Sequence, residues 1–180
     1  LNVKTLFAKL EFCNPTGSFK DRGSAYMIST LRNLGVTSVA EDSSGNAGAS
    51  VAAYCAKAQI NATIFVPATA PLMKLDQISR YGAKINRIDG TRRAVAEACE
   101  RYCEEQDAVY SSHNLSPYFI EGMKGFSREI WTELDQFIDH ILFPVGNGSL
   151  LVGTWRGYRD LRRVNKAERM PRLHCIQSVS

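Results

Sequence analysis

No apolar run in the sequence approaches the roughly 20 residues that cross a bilayer. The first residues, LNVKTLFAKLEF, have neither the long apolar centre nor the cleavage site of a signal peptide. No membrane partner and a cytoplasmic setting are therefore expected. Histidine is scarce: there are three, none close to another in sequence, so a zinc site lacks obvious ligands although Cys99 and Cys103 lie one helical turn apart. Both cysteines read as structural and no metal is expected. Five cysteines, an odd number in 180 residues, fit free thiols in a reducing compartment better than a disulfide framework. Neither sign of charge dominates. The net +4 is spread along the chain and only LRRVNKAERMPR (Leu161 to Arg172) is locally basic, which argues against a nucleic-acid partner. Long linkers, internal repeats and low-complexity stretches are also missing. So is a methionine at position 1, and LHCIQSVS at the other end reads as an apolar strand running into a polar loop. The sequence is expected to be part of a longer protein.

What is present is an alternation of helix and strand patterns on a composition, 44% hydrophobic, able to bury a sizeable core. The spacing predicts a helix over Asp21 to Leu34, closed by Gly35, then a short buried strand in TSVAE. A second helix, NAGASVAAYCAKA from Asn46, leads to the β-branched run NATIFVP, ended by Pro67. PLMKLDQISRYG with AKINRID, and TRRAVAEACERYCEEQ with AVYSS, repeat the unit. After a loop, IEGMKGFSREIWTEL is expected to form one amphipathic helix, followed by the strand DHILFPVG and the helix SLLVGTWRGYRDLRRV. Units of this length point to an α/β fold of open parallel sheets with helices on both faces.

Ligands of such sheets bind at the carboxyl ends of strands, so the loops that follow strands are where chemistry is sought. In VGNGSL (Val145 to Leu150), Gly146 and Gly148 let the backbone turn tightly and bring N–H groups toward a ligand at the positive end of the next helix. The loop has the form of a phosphate cradle but matches neither the dinucleotide fingerprint nor the Walker A loop. A plain glycine turn is the alternative. In SSGNAGAS (Ser43 to Ser50) the hydroxyls of Ser43 and Ser44, two glycines and an asparagine at a helix start form a nest suited to a carboxylate. The alternative here is an ordinary helix cap, with Ser44 or Asn46 as the capping residue. Upstream, NPTGSFKDRG encloses one lysine, Lys20, among small, turn-forming and hydroxylated residues, a setting that a surface lysine beside Asp21 does not need.

In this order, NPTGSFKDRG, SSGNAG and PVGNGSLLVG resemble the three signatures of the pyridoxal-phosphate enzymes built on the tryptophan-synthase β-subunit fold, also called fold type II. The lysine segment is most similar to that of threonine synthase and threonine-synthase-like proteins. The resemblance runs from about Phe12 to the end of the chain. It implies that Lys20 forms the Schiff base with the cofactor aldehyde, which requires partial desolvation so that the amine is neutral and nucleophilic near pH 7. It implies further that Asn46 hydrogen-bonds the ring 3′-oxygen, that Ser44, Gly45 and Ala47 hold the substrate carboxylate, and that Gly146, Asn147, Gly148, Ser149 and Leu150 bind the cofactor phosphate. The implied reaction is that of a lyase converting O-phosphohomoserine and water to threonine and phosphate. A threonine or serine dehydratase, a diaminopropionate ammonia-lyase, or a protein that only binds its ligand are the alternatives. A homodimer of the full-length protein is expected. Residues 1–20 and 123–180 are expected to belong to an incomplete larger, cofactor-bearing domain, and 21–122 to a smaller one. The family's serine or threonine against the pyridine nitrogen has no counterpart in this sequence, because the context of Ser178 and Ser180 does not match that contact.

Overall fold

The structure, a computed structural model, describes residues 5–134 and 136–178; Ser180 lies outside the described residues. After a single 3-10 turn at Glu11–Cys13, helix α1 (Lys20–Asn33) turns Met27, Ile28 and Leu31 inward at helical spacing, and the chain leaves it through Gly35 at φ 80°. Strand β1 (Ser38–Glu41) is followed by α2 (Asn46–Ala58), β2 (Asn61–Pro67), α3 (Leu72–Arg80), β3 (Lys84–Ile88), α4 (Arg92–Gln106) and β4 (Val109–Tyr110). The helix and strand expected from Asn46 to Pro67 have the observed bounds.

The four strands form one parallel sheet in the order β3-β2-β1-β4, with Val39 of β1 opposite Ala62 on one side and Val109 on the other. Alternate residues of β1 serve opposite faces. Val39 joins the main core with Met27 and Ile28 of α1, Ala52 of α2 and Ile78 of α3, whereas Ala40 packs with Phe65, Val95 and Cys99 under α4. Helices thus cover both faces, as expected. The chain steps outward from β1 to β3 and then returns across β1 to β4, so the strand order reverses between β1 and β4. Their carboxyl ends flank the crevice that such a reversal opens.

The single helix expected from Ile120 is instead two. Helix α5 (Pro117–Met123) starts three residues earlier, at a proline whose fixed φ suits a first turn, and α6 (Gly125–Glu133) follows after Lys124. The glycines on either side of Lys124 weaken helix continuity. Gly122 is needed there for another reason: a Cβ on it would lie 2.1 Å from the Arg22 carbonyl of α1. Strand β5 (His140–Pro144), helix α7 (Ser149–Arg163) and strand β6 (Arg172–Ile176) complete the described fold, with β5 and β6 parallel. Ile141 and Phe143 bury one face of this pair against Phe126 and Ile130 of α6 and Tyr158 and Leu161 of α7, while Leu142 between them, and Ile176 on β6 opposite Pro144, are half exposed. Helix α5 joins the two sheets: its Phe119 and Met123 lie in the main core, and it packs against both α1 and α7.

Candidate active site

Each residue of the KDRG segment has its own task. Asp21 is buried and accepts hydrogen bonds from the Thr16 backbone N–H at 2.7 Å and from the Thr16 and Ser50 hydroxyls at 2.6 Å, so it clamps the loop before the lysine to α2. Gln77 of α3 donates to the Thr16 carbonyl at 3.1 Å. Arg22 makes a fork of bonds at 2.7–2.8 Å to Glu11 and Glu129, tying α1 to α6. Gly23 leaves room for Phe119, whose ring a Cβ would meet at 2.6 Å. Lys20 opens α1 and is half-buried, its Nζ 5.0 Å from the Phe19 ring centre and 5.6 Å from that of Phe119. Desolvation lowers its proton affinity, and the charge of Glu41 works in the opposite direction. A lysine so placed is a partly desolvated amine.

The nest at Ser43 to Ser50 is a close-approach structure. The N-cap of α2 is Gly45, and no side chain caps the helix, so the alternative reading of Ser44 or Asn46 as an ordinary cap does not hold. Ser43 Oγ instead accepts from the Gly45 N–H at 3.3 Å. A Cβ on Gly48 would sit 1.9 Å from the Ser43 carbonyl oxygen, so the loop folds onto the helix only with glycine there. Asn46 is exposed at the start of α2, with Ala47 buried beside it.

The loop Gly146 to Leu150 is built differently. Gly148 has φ 81°, the left-handed region that favours glycine, and it caps the fifteen-residue α7 without a side-chain cap. A Cβ on Gly146 or Gly148 would meet nothing within 4 Å, so the ground over the positive end of α7 is open. Asn147 Oδ1 accepts from the Ser149 N–H at 3.2 Å and the Ser149 hydroxyl at 3.0 Å, showing that these donors are aimed where an acceptor sits. A cleft of about 510 Å³ lined by Val145, Gly146, Gln177 and Ser178 opens beside the loop at the carboxyl ends of β5 and β6. A larger open groove of about 620 Å³, between α3 and β3, includes no residue of either nest. Open backbone donors at a helix start fit a phosphate.

A third loop, which sequence reasoning passed over, ties these parts together. His113 and Asn114 follow β4 at the strand reversal. Asn147 Nδ2 donates to Asn114 Oδ1 at 2.6 Å, linking this loop to the α7 cradle. His113 Nδ1 lies 2.6 Å from Oε1 of Glu41, the buried last residue of β1, and its ring meets that of Phe119 edge-on at 6.0 Å. On the other face, Asp42 is buried and paired with Arg92. The available signals were the acid pair Glu41-Asp42 before SSGN and a polar SHN after a strand. Cys99 and Cys103 are residues of α4, Cys99 buried with Ala40 and Phe65 and its thiol pushed up by burial. No group of three metal-ligating side chains occurs among the described residues. Among them, no helix is long and apolar enough to cross a membrane.

A half-buried lysine beside the strand-order reversal, with a close-packed nest after β1 and an open backbone cradle after β5, fits an α/β enzyme class that works with a phosphate-bearing aldehyde cofactor. The chain belongs to the pyridoxal-phosphate dependent enzyme family, whose model matches residues 1–180. It is 34% identical over 180 residues to a threonine synthase of Methanosarcina acetivorans, covering 99% of this chain and 44% of the relative. To a threonine synthase of a Synechocystis species it is 35% identical over 175 residues, covering 97% and 46%. The chain therefore spans a little under half the length of these curated relatives. Serine racemase from Dictyostelium discoideum superposes with a TM-score of 0.83 at 26% identity, covering 94% of this chain and 53% of that one. Threonine deaminase isoform 2 from Solanum lycopersicum shares the fold, with a TM-score of 0.83 at 24% identity, covering 94% and 45%.

Proposed function

We propose that the full-length protein is a cytoplasmic, homodimeric lyase of the threonine-synthase type that converts O-phosphohomoserine and water to threonine and phosphate. The observation that carries this reading is Lys20, held half-desolvated between two aromatic rings at the first turn of α1. Residues 21–122 are assigned to the smaller domain, with 1–20 and 123–180 in the larger one. The N–H groups of Gly146 to Leu150 would hold the cofactor phosphate, Lys20 Nζ would anchor its aldehyde, and Asn46 would orient the ring through its oxygen. Ser44, Gly45 and Ala47 would hold the substrate carboxylate. Bound, the cofactor would supply an electron sink for charge developing at Cα. Lys20 Nζ would take the Cα proton and return one later in the reaction. Phe19 and Phe119 keep water from that amine.

A second reading, elimination from a hydroxy- or diamino-acid, is favoured by the charge that acts on the lysine, the acid at the end of β1. An anion there suits a neutral hydroxyl or an amine leaving group better than a substrate phosphate. Assaying the full-length protein in parallel with O-phosphohomoserine, threonine, serine and diaminopropionate separates the two. Turnover of the phosphate ester alone supports the first reading, and ammonia release from the others alone overturns it. In either case Lys20→Ala should abolish nearly all turnover, because both readings make Lys20 the proton carrier.

A further inference from the structure

Glu41 ends β1 on the same strand face as Val39, the face that packs against α1. Its side chain is 0% exposed. Oε1 lies 2.6 Å from His113 Nδ1, whereas Oε2 has no hydrogen-bond partner among the described residues. Buried carboxylate oxygens are normally satisfied, so an orphan one beside a candidate active lysine calls for a functional account. The imidazole keeps a side-chain exposure of 13% and shares the Phe119 ring with Lys20: His113 meets that ring edge-on while Nζ lies over it at 5.6 Å. Asn114, next in the chain, is bonded to Asn147 of the cradle.

We propose that Glu41 and His113 are a proton-holding pair that positions the charge of Lys20, with one proton held between Glu41 Oε1 and His113 Nδ1. The pair is anionic in that state. It becomes neutral when His113 takes a second proton from water at its other ring nitrogen, Nε2. An anionic pair stabilises the Lys20 ammonium, and a neutral pair lets Nζ release its proton to solvent. Only protons move, with water as their source and sink. The other charged or titratable groups acting with Glu41 are Asp42, held by Arg92, and Tyr110 and Cys99 from the α4 side. Burial raises the proton affinity of Glu41 while the His113 hydrogen bond lowers it, an opposition that suits a shared proton. The proposal rests on the reading of Lys20 as the proton carrier and adds Glu41 and His113 as positioning residues, since Glu41 touches neither substrate nor cofactor.

The test is made on the full-length protein in its cofactor-free form, by following acetylation of the Lys20 peptide with acetic anhydride against pH. Glu41→Gln should move the midpoint of Lys20 reactivity down by about one pH unit, the size of effect a nearby opposite charge exerts. His113→Asn should move it the same way, because Glu41 loses its donor and takes up a proton. Should Glu41→Gln fail to fold, His113→Asn decides. Unchanged Lys20 midpoints in the folded variants overturn the pair. Mapping of the borohydride-reduced cofactor keeps the two readings apart: a label at Lys20 with unmoved midpoints overturns the pair alone, and a label at Lys9 or Lys124 with moved midpoints upholds the pair and removes the cofactor assignment.

Discussion

The two backbone nests share a sequence grammar, glycine and asparagine between a strand and a helix, yet they are held in opposite ways. The nest after β1 lies in a sheet with helices on both faces and is closed by contact, since the Ser43 carbonyl occupies the space where a Gly48 side chain would be. The nest after β5 is open, and its shape comes from the sign of one backbone angle at Gly148. Similar motifs thus carry different tolerances. The first resists any added atom, and the second resists only the conformational cost of a side chain. Arg22 and α5 hold the two regions in register, through Glu129 on α6 and through helix packing.

The largest effect that separates the two is expected from Gly48→Ala. A methyl group 1.9 Å from a backbone oxygen cannot be absorbed by a rotamer change, so the full-length variant should lose more than about 3 kcal/mol of stability or fail to fold. Urea unfolding checks this, and a change under 1 kcal/mol would show that the loop is not closed as described. Gly148→Val comes next. With φ at 81° the side chain should cost about 1–2 kcal/mol, and cofactor affinity should fall roughly tenfold or more while the fold persists. Titration of the cofactor-free protein with pyridoxal phosphate reads it, and unchanged affinity in a folded variant would place the cradle elsewhere. Asn46→Ala should change stability by less than about 0.5 kcal/mol, because Asn46 is exposed and caps nothing. It should still shift the visible absorbance of the bound cofactor and reduce turnover in part. The last effect concerns the strap between the regions and is read from its pH dependence. Hydrogen bonding from Arg22 holds the Glu129 carboxyl down at about 2, so its contribution is present above the ordinary carboxylate range and is lost as pH falls through about 2. Glu129 is partly exposed, so Glu129→Gln should remove less than about 1 kcal/mol at pH 6, and the difference from the parent should shrink in melts taken toward pH 2.

The sequence made much of the first region legible because its signals are local. A β-branched run between helix patterns marks β2, Gly35 marks the end of α1, and the anion nests show as glycine-rich strand-to-helix turns. Three things were not local. The break at Lys124 follows from the close approach of Gly122 to Arg22, a contact between segments about a hundred residues apart that periodicity does not record. The role of His113 and Asn114 depends on β4 lying beside β1 rather than beyond β3, and strand order is a property of the sheet, not of any segment. Glu41 reads in sequence as the polar end of a short strand, and only the packed structure shows it buried against His113. The individual nests were visible, then, while the loop that joins them was not.

Covalent mapping tests the central claim, that Lys20 is the lysine on which both nests converge. The full-length protein, saturated with pyridoxal phosphate and reduced with borohydride, is digested and its peptides are weighed. The account predicts the pyridoxyl mass on the peptide containing Lys20, in near-stoichiometric yield, and its absence from that peptide in Lys20→Ala. A label carried instead by Lys9, which is bound to Glu129 and Glu133, or by Lys124, which is bound to Glu121 and Asp160, would contradict it.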